Sequence, residues 1–389
     1  MPVTLPDFEY IDTQGGWDSC IETFNNEPMV AIDLEANSLF AYREQVCLLQ
    51  FSTVHRDYIV DPLAGLDLSG LGVLLANERV EKIFHACEYD LMLLKRDHDW
   101  TLRNLFDTMW AARILGYKNM GLAWFLREYY EVELSKKHQK ANWAMRPLSE
   151  EMLAYARADT HYLLRLRHDL AAKLEEAGLM EAAREIFAEQ CAVRLPDQTF
   201  DPDGFWALRG ARLLTPAQQS VLKALYIFRD EEARRRDQPV FKVLNNDALI
   251  AMARENPKTK KALAAIRGVG PRNVERYGAH LLRVIHEARR GATPERPARK
   301  QRQEQGIIDR FERLSQWRRN RAIARGVESD VIISRETMWS IARENPDSLA
   351  DLAEIDGMGP QRLQQHGPAI LTELNGAPVL PPAPVLDVP

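Results

Sequence analysis

The chain has few cysteines, no long apolar run and a small net charge for its size, and each shortage removes a class of protein. Cys20, Cys47, Cys87 and Cys191 lack the paired spacings of zinc sites, so reduced thiols are expected and a disulfide framework is not. No uninterrupted apolar stretch reaches about 18 residues, which leaves no candidate membrane span. The start, Met1-Pro2-Val3-Thr4-Leu5-Pro6-Asp7, lacks a basic apolar leader, so the expectation is a soluble, cytoplasmic protein. At 389 residues the chain is long for one core, and two or three domains are expected.

The net charge of -5 conceals an uneven distribution. Residues 1 to 200 hold 32 acidic and 20 basic side chains, whereas residues 201 to 389 hold 24 and 31. An acidic front suits divalent cations and a basic back suits a polyanion.

Asp33 and Glu35 stand two apart in the apolar run Met29-Val30-Ala31-Ile32-Asp33-Leu34-Glu35-Ala36. On a strand both carboxylates leave one face while Ile32 and Leu34 take the other, and two like charges in such a setting need a cation. Asp90 and Asp159 add two acids downstream, and Tyr155 lies four residues before Asp159, on the same face of a helix. Four carboxylates and a phenol fit a two-metal phosphodiesterase. Asp107 is expected to cap the helix that follows it instead of binding metal.

The first 170 or so residues alternate strand and helix patterns, which predicts an α/β domain. Strands are expected at residues 30–35, 46–52, 58–61, 82–85 and 104–106, the first three as a meander, in a mixed sheet. Helices are expected over 121–130 and, from an N-cap at Ser149, to about residue 176. After a polar, proline-bearing linker at 195–203, Ala253-Arg254-Glu255-Asn256-Pro257 returns 89 residues later as Ala342 to Pro346, and Gly268-Val269-Gly270-Pro271 returns as Gly357-Met358-Gly359-Pro360. Two copies of one small helical domain are expected, at 211–289 and 306–376, behind a first domain at 1–194 and ahead of a proline-rich tail at 377–389.

These motifs, in this order, resemble the ribonuclease D family, 3'-to-5' exoribonucleases of the DEDD superfamily, tyrosine subclass. The repeats are similar to helicase and ribonuclease D C-terminal (HRDC) domains. The resemblance implies an RNase H-like sheet holding two Mg2+ or Mn2+ ions on Asp33, Glu35, Asp90 and Asp159. It also implies Tyr155 as the fifth catalytic residue, RNA with a single-stranded 3' end as substrate, tRNA precursors above all, and a monomer. The same motifs serve DNA exonucleases, and nothing in the sequence reads a 2'-hydroxyl. A non-catalytic RNA-binding scaffold is the competing class, against which the retained acids and tyrosine argue.

Other candidates for nucleic-acid contact are His85 beside the acids, and Lys137, Lys140, Trp143 and Arg146 in the basic stretch before the tyrosine helix. A structural histidine and a core tryptophan are the alternatives for His85 and Trp143. In the first repeat Lys260, Lys261 and Arg272 surround the Gly-x-Gly-Pro turn, whereas Asp347, Asp351, Glu354 and Asp356 surround the second. The first copy is therefore expected to contact nucleic acid, and the second to pack on the catalytic domain or on another protein.

Overall fold

The computed structural model describes residues 7–134, 136–192, 195, 199–297 and 303–376. The proline-rich tail, part of the linker at 195–203 and residues 298–302 between the repeats lie outside the described residues. The described residues fall into two compact units, one made of those up to 35, from 46 to 195 and from 303 to 376, and the other of those from 36 to 45 and from 199 to 297. Among the described residues no helix is long and apolar enough to cross a membrane.

The first unit is built on six strands, β1 (Phe8–Ile11), β2 (Met29–Ala36), β3 (Val46–Ser52), β4 (Asp57–Val60), β5 (Glu81–Phe84) and β6 (Leu105–Asp107), in the order β1-β4-β3-β2-β5-β6. β3 and β4 are antiparallel, while β1 with β4, β2 with β5 and β5 with β6 are parallel. The sheet is therefore mixed, with the expected meander at β2-β3-β4. Its helices are α1 (Gln14–Asn26), α2 (Ser69–Ala76), α3 (Glu88–His98), α4 (Thr108–Ile114), α5 (Leu122–Tyr130), α6 (Glu150–His161), α7 (Leu163–Glu176) and α8 (Met180–Cys191).

Two sequence expectations are corrected. β1 had not been foreseen, because its four residues carry one glutamate and no apolar alternation. The single helix expected from Ser149 to residue 176 is two helices meeting at Tyr162, although neither glycine nor proline marks the break. Ser149 does cap α6, accepting from the Met152 amide.

In the second unit the first repeat comprises α9 (Pro216–Arg235), α10 (Val240–Val243), α11 (Asn246–Glu255), α12 (Lys260–Ala264) and α13 (Pro271–Ala288). The second repeat, within the first unit, comprises α14 (Gln305–Arg325), α15 (Ser329–Ile332), α16 (Arg335–Glu344), α17 (Leu349–Ala353) and α18 (Pro360–Leu374). Every helix of one copy starts 89 residues after its counterpart in the other. Each repeat closes its own core, around Leu222, Leu249 and Leu281 in the first and Trp317, Ile341 and Ile370 in the second. Gly268 and Gly357, at φ 91° and 85°, make the same left-handed turn before the last helix, a conformation glycine adopts without penalty.

The second repeat packs on the sheet-containing domain. Glu185 of α8 accepts the Gln361 amide at 2.7 Å and the Arg362 amide at 3.3 Å, closing the N-terminus of α18 with a carboxylate. Arg113 of α4 pairs with Glu328 at 3.0 Å and, more closely, with Asp330.

Candidate metal centre

Asp33 and Glu35 stand on β2 beyond Ala31, the last residue registered with β5, so the strand delivers them at its C-terminal end. Ile32 and Leu34 are buried on the opposite side, as the period of two requires. α6 crosses β3 and β4 and brings Asp159 to them. Asp33, Glu35 and Asp159 each offer a carboxylate oxygen within 4.8 Å of the others.

Asp90, in the first turn of α3, completes the acids. Its position depends on a strained turn. Ala86 adopts φ 67°, uncommon for a residue with a side chain, and the Asp107 carboxylate takes the Ala86 and Cys87 amides at 3.2 and 2.9 Å. The same carboxylate caps α4 through the Met109 and Trp110 amides. Asp107 is thus the capping residue anticipated, and it also launches the helix that carries Asp90.

The acids repel one another. Enclosure by protein pushes Asp33 up to about 7, and enclosure followed by Asp33, Asp159 and Asp90 pushes Glu35 up to about 10. Asp90 and Asp159 are held well above the usual carboxylate range, first by burial and then by Asp33. Among the described residues the side-chain charges that bear on Glu35 are all carboxylates. A cluster of hard oxygen donors with uncompensated negative charge fits divalent cations of the Mg2+ or Mn2+ type.

Tyr155 lies one turn before Asp159 and hydrogen-bonds to it. Burial, then Asp159, Glu35 and Asp33, push its phenol far upward, so it stands as a proton donor facing the acids.

The structure does not bring every candidate to the site in the expected role. Trp143 is 1% exposed and packs with Cys47, Leu48, Ile59 and Ala156, so its ring is not open to a base. Arg146 is corrected likewise. Its Nε and Nη2 grip both Asp61 oxygens at 2.6 Å, and its remaining hydrogens go to the Cys47, Trp143 and Met145 carbonyls. That guanidinium staples the stretch before α6 to the end of β4 and has no fork left for phosphate. His85 Nδ1 lies 2.9 Å from the Thr108 hydroxyl, which itself donates to the Phe84 carbonyl, and the Met120 main chain also engages the ring. These contacts are those of a histidine tying β5 to α4. Lys137 pairs with Glu151 at 2.7 Å on the surface, and Lys140 is exposed.

One buried network escaped the sequence reading. Asp57 on β4 accepts from Ser52, Arg157 and His161, and Ser52 also meets Thr160 at 2.8 Å. Arg157, Thr160 and His161 flank Asp159 on α6, so the network fixes the rotation of the helix that carries the fourth acid. Its signal was the i, i+4 pair Arg157 and His161, whose partner lies 100 residues earlier.

Comparison with known proteins agrees with this architecture. Residues 8–175 match the 3'-5' exonuclease family model, and residues 218–285 and 308–374 each match the HRDC domain. Ribonuclease D of Pseudomonas paraeruginosa is 32% identical over 295 residues, covering 75% of this chain and 77% of that protein. The exosome complex exonuclease RRP6 of Saccharomyces cerevisiae is 31% identical over 296 residues, 72% of this chain, which spans only 40% of the yeast protein. Among solved structures, the catalytic core of RRP6 from Trypanosoma brucei is similar at 26% identity, covering 74% of this chain and 81% of its own, with a TM-score of 0.65. The Escherichia coli RNase D structure covers 96% of this chain and all of its own at a TM-score of 0.66, and at 24% identity it speaks for the fold alone.

Proposed function

The chain belongs to the ribonuclease D and RRP6 family of 3'-5' exonucleases, with two HRDC domains behind the exonuclease domain, and from that premise we propose that it is a metal-dependent 3'-to-5' exoribonuclease. It removes 5'-mononucleotides from single-stranded 3' ends, with tRNA precursors as its substrate class. The observation that carries this reading is the meeting of Asp33, Glu35 and Asp159 within 4.8 Å, beside a buried Asp90 and the Tyr155 hydroxyl.

Asp33, Glu35, Asp90 and Asp159 would hold two divalent cations, Mg2+ or Mn2+, which when bound neutralise charge on the phosphoryl oxygens and acidify water. The carboxylates fix where that charge sits. Asp33 is central to the set, because it is the like charge that acts most strongly on both Asp90 and Asp159. Tyr155 keeps its proton and orients the attacking water by a hydrogen bond, a positioning role that a raised phenol pKa supports over a general-base role. Water adds to phosphorus and the bond from phosphorus to the 3'-oxygen breaks. The released nucleotide keeps the phosphate and the shortened RNA keeps a 3'-hydroxyl.

Substrate affinity comes from the first repeat in this reading. Lys260, Lys261 and Arg272 are exposed around the turn before α13, whereas the matching turn of the second repeat is closed by Glu185. Exposed Lys140 and Lys137 would add phosphate contacts nearer α6. The domain limits of 1–194, 211–289 and 306–376, a monomeric state and a cytoplasmic location complete the proposal, supported by the repeat spacing and the family resemblance.

Incubation of the full chain with 3'-labelled and 5'-labelled RNA and DNA oligonucleotides, with and without Mg2+, tests it. The expected result is Mg2+-dependent release of labelled mononucleotide from 3'-labelled RNA and progressive shortening of the 5'-labelled strand. Equal or better cleavage of DNA would move the substrate class, and tight RNA binding without cleavage would leave a scaffold.

A further inference from the structure

The second repeat carries a group of four basic side chains, of which Arg362 has an acidic partner. On α14, Arg321 and Arg325 stand one turn apart. Facing them on α18 are Arg362 and His366, also one turn apart, and Trp317, a turn before Arg321, meets the His366 ring edge-on at 5.6 Å between centroids. Arg362 is neutralised, because its Nη1 pairs with Glu189 of α8 and also donates to the Gly357 carbonyl at 3.0 Å. Glu185 already occupies the free amides at the start of α18.

Among the described residues the other three basic side chains have no acidic partner, and His366 is met only by the Trp317 ring and the Gln365 main chain. Arg321 and Arg325 make no hydrogen bond or ion pair with any described residue, and the buried Nε of Arg321 has no partner. His366 is 3% exposed and its Nδ1 is likewise unpartnered. Side-chain charges acting on the imidazole are Arg321, Arg325 and Arg362, all of one sign. With burial as the larger cause, they push His366 down to about 4. Burial and then Arg321 lower Arg325 as well.

An enclosed, unpaired cation is costly, and a carboxylate or an apolar side chain in place of any of these groups would relieve it. Two guanidinium groups that remain partly open to solvent stand one turn apart beside a buried imidazole. That set matches the oxygens of a tetrahedral phosphate, which guanidinium recognises by parallel hydrogen bonds.

We infer that Arg321, Arg325 and His366 form a binding site for a phosphate group in the second repeat, separate from the carboxylate centre. This goes beyond the proposed function, which places phosphate contacts on the first repeat and near α6. The phosphate comes either from a small anion, such as inorganic phosphate or a released mononucleotide, or from the backbone of bound RNA.

The test uses the full chain in EDTA, so that no RNA is cleaved and the outcome does not depend on hydrolysis. Thermal unfolding is followed through titrations of inorganic phosphate and of a nucleoside 5'-monophosphate at constant ionic strength, for wild type and for the double variant Arg321→Gln, Arg325→Gln. In a second arm, affinity for a short single-stranded RNA is measured across a salt series. Without phosphate the double variant should melt at or above the wild-type temperature, since like charges have been removed. If a small anion is the ligand, phosphate or nucleotide should raise the wild-type melting temperature and leave the variant unmoved. If RNA is the ligand, the variant should bind it more weakly, with the salt slope shallower by about 0.7 for each lost contact. Arg325→Lys, which keeps the charge, should retain part of either effect, and with Arg325→Gln it carries the same comparison should the double variant fail to fold. Identical phosphate and RNA responses in wild type and variants would overturn the inference and leave the arginines as packing elements.

Discussion

His161 Nδ1 lies 3.0 Å from both carboxylate oxygens of Asp57, joining α6 to β4 two residues past Asp159. Burial raises the Asp57 pKa, but His161, Ser52 and Arg157 together outweigh it and hold the group below its ordinary value. The helix that carries Asp159 is therefore seated by a buried acid on β4.

Asp57→Asn keeps the shape but removes the buried charge that Arg157 and His161 meet. Breaking such a buried pair from one side should lower the unfolding free energy by about 3 kcal/mol. The pH dependence has a fixed sign. A depressed carboxyl contributes stability above its unfolded pKa of about 3.9 and loses it as pH falls through the folded value. Urea unfolding of wild type and variant should thus differ fully at pH 6 to 7 (about 3 kcal/mol) and converge in the acid range. A constant difference down to the acid limb would deny Asp57 its charge-dependent role.

Tyr155→Phe removes only the hydroxyl proposed to orient water. Metal binding should persist, with single-turnover cleavage slowed roughly ten- to a thousand-fold. Mn2+ titration by paramagnetic resonance alongside the rate measurement separates the cases: unchanged turnover makes Tyr155 structural, and lost Mn2+ makes it part of the ligand set.

The two Gly-Pro turns offer an internal control. A Cβ on Gly359 would come within 2.3 Å of the Glu185 carboxyl carbon, whereas one on Gly270 meets nothing within 4 Å. Gly359→Ala should destabilise the chain by about 1–3 kcal/mol through forced repacking. Gly270→Ala should cost about 1 kcal/mol or less, the effect of alanine at an N-cap. Equal effects in calorimetric unfolding would contradict the docking of α18 on α8.

Replacing Lys260, Lys261 and Arg272 together by alanine should weaken binding of a structured, tRNA-like RNA and flatten its salt dependence, because each lost phosphate contact lowers the slope by about 0.7 to 0.9. The full chain is the right vehicle. Truncation after the exonuclease domain would strip α18 from α8 and expose Glu185 and Glu189, confusing lost contacts with a damaged surface. An unchanged slope would remove the first repeat from the nucleic-acid path.

What the sequence disclosed followed from local periodicity. The strand with Asp33 and Glu35, the shared face of Tyr155 and Asp159, the cap at Asp107 and the 89-residue repeat all depend on spacings within one element or on a fixed offset. Features made by long-range closure stayed hidden. In the sequence Trp143 is open between core and base contact and Arg146 reads as a phosphate contact, because a basic, aromatic stretch looks alike in either setting until Asp61, 85 residues earlier, and the Cys47 carbonyl engage the guanidinium. Asp57 sits in an ordinary strand until α6 folds over it, and the Arg321, Arg325 and His366 group joins two helices more than forty positions apart.

The most direct test of the account is the single-turnover rate of Asp33→Asn on 3'-labelled RNA in Mg2+, measured on protein whose thermal unfolding matches wild type. Asp33 neighbours the other acids, so its loss should remove charge stabilisation at the reacting phosphate while RNA binding survives. The rate should fall by at least ~100-fold. A folded Asp33→Asn protein that cleaves at close to the wild-type rate would contradict the carboxylate centre as the seat of catalysis.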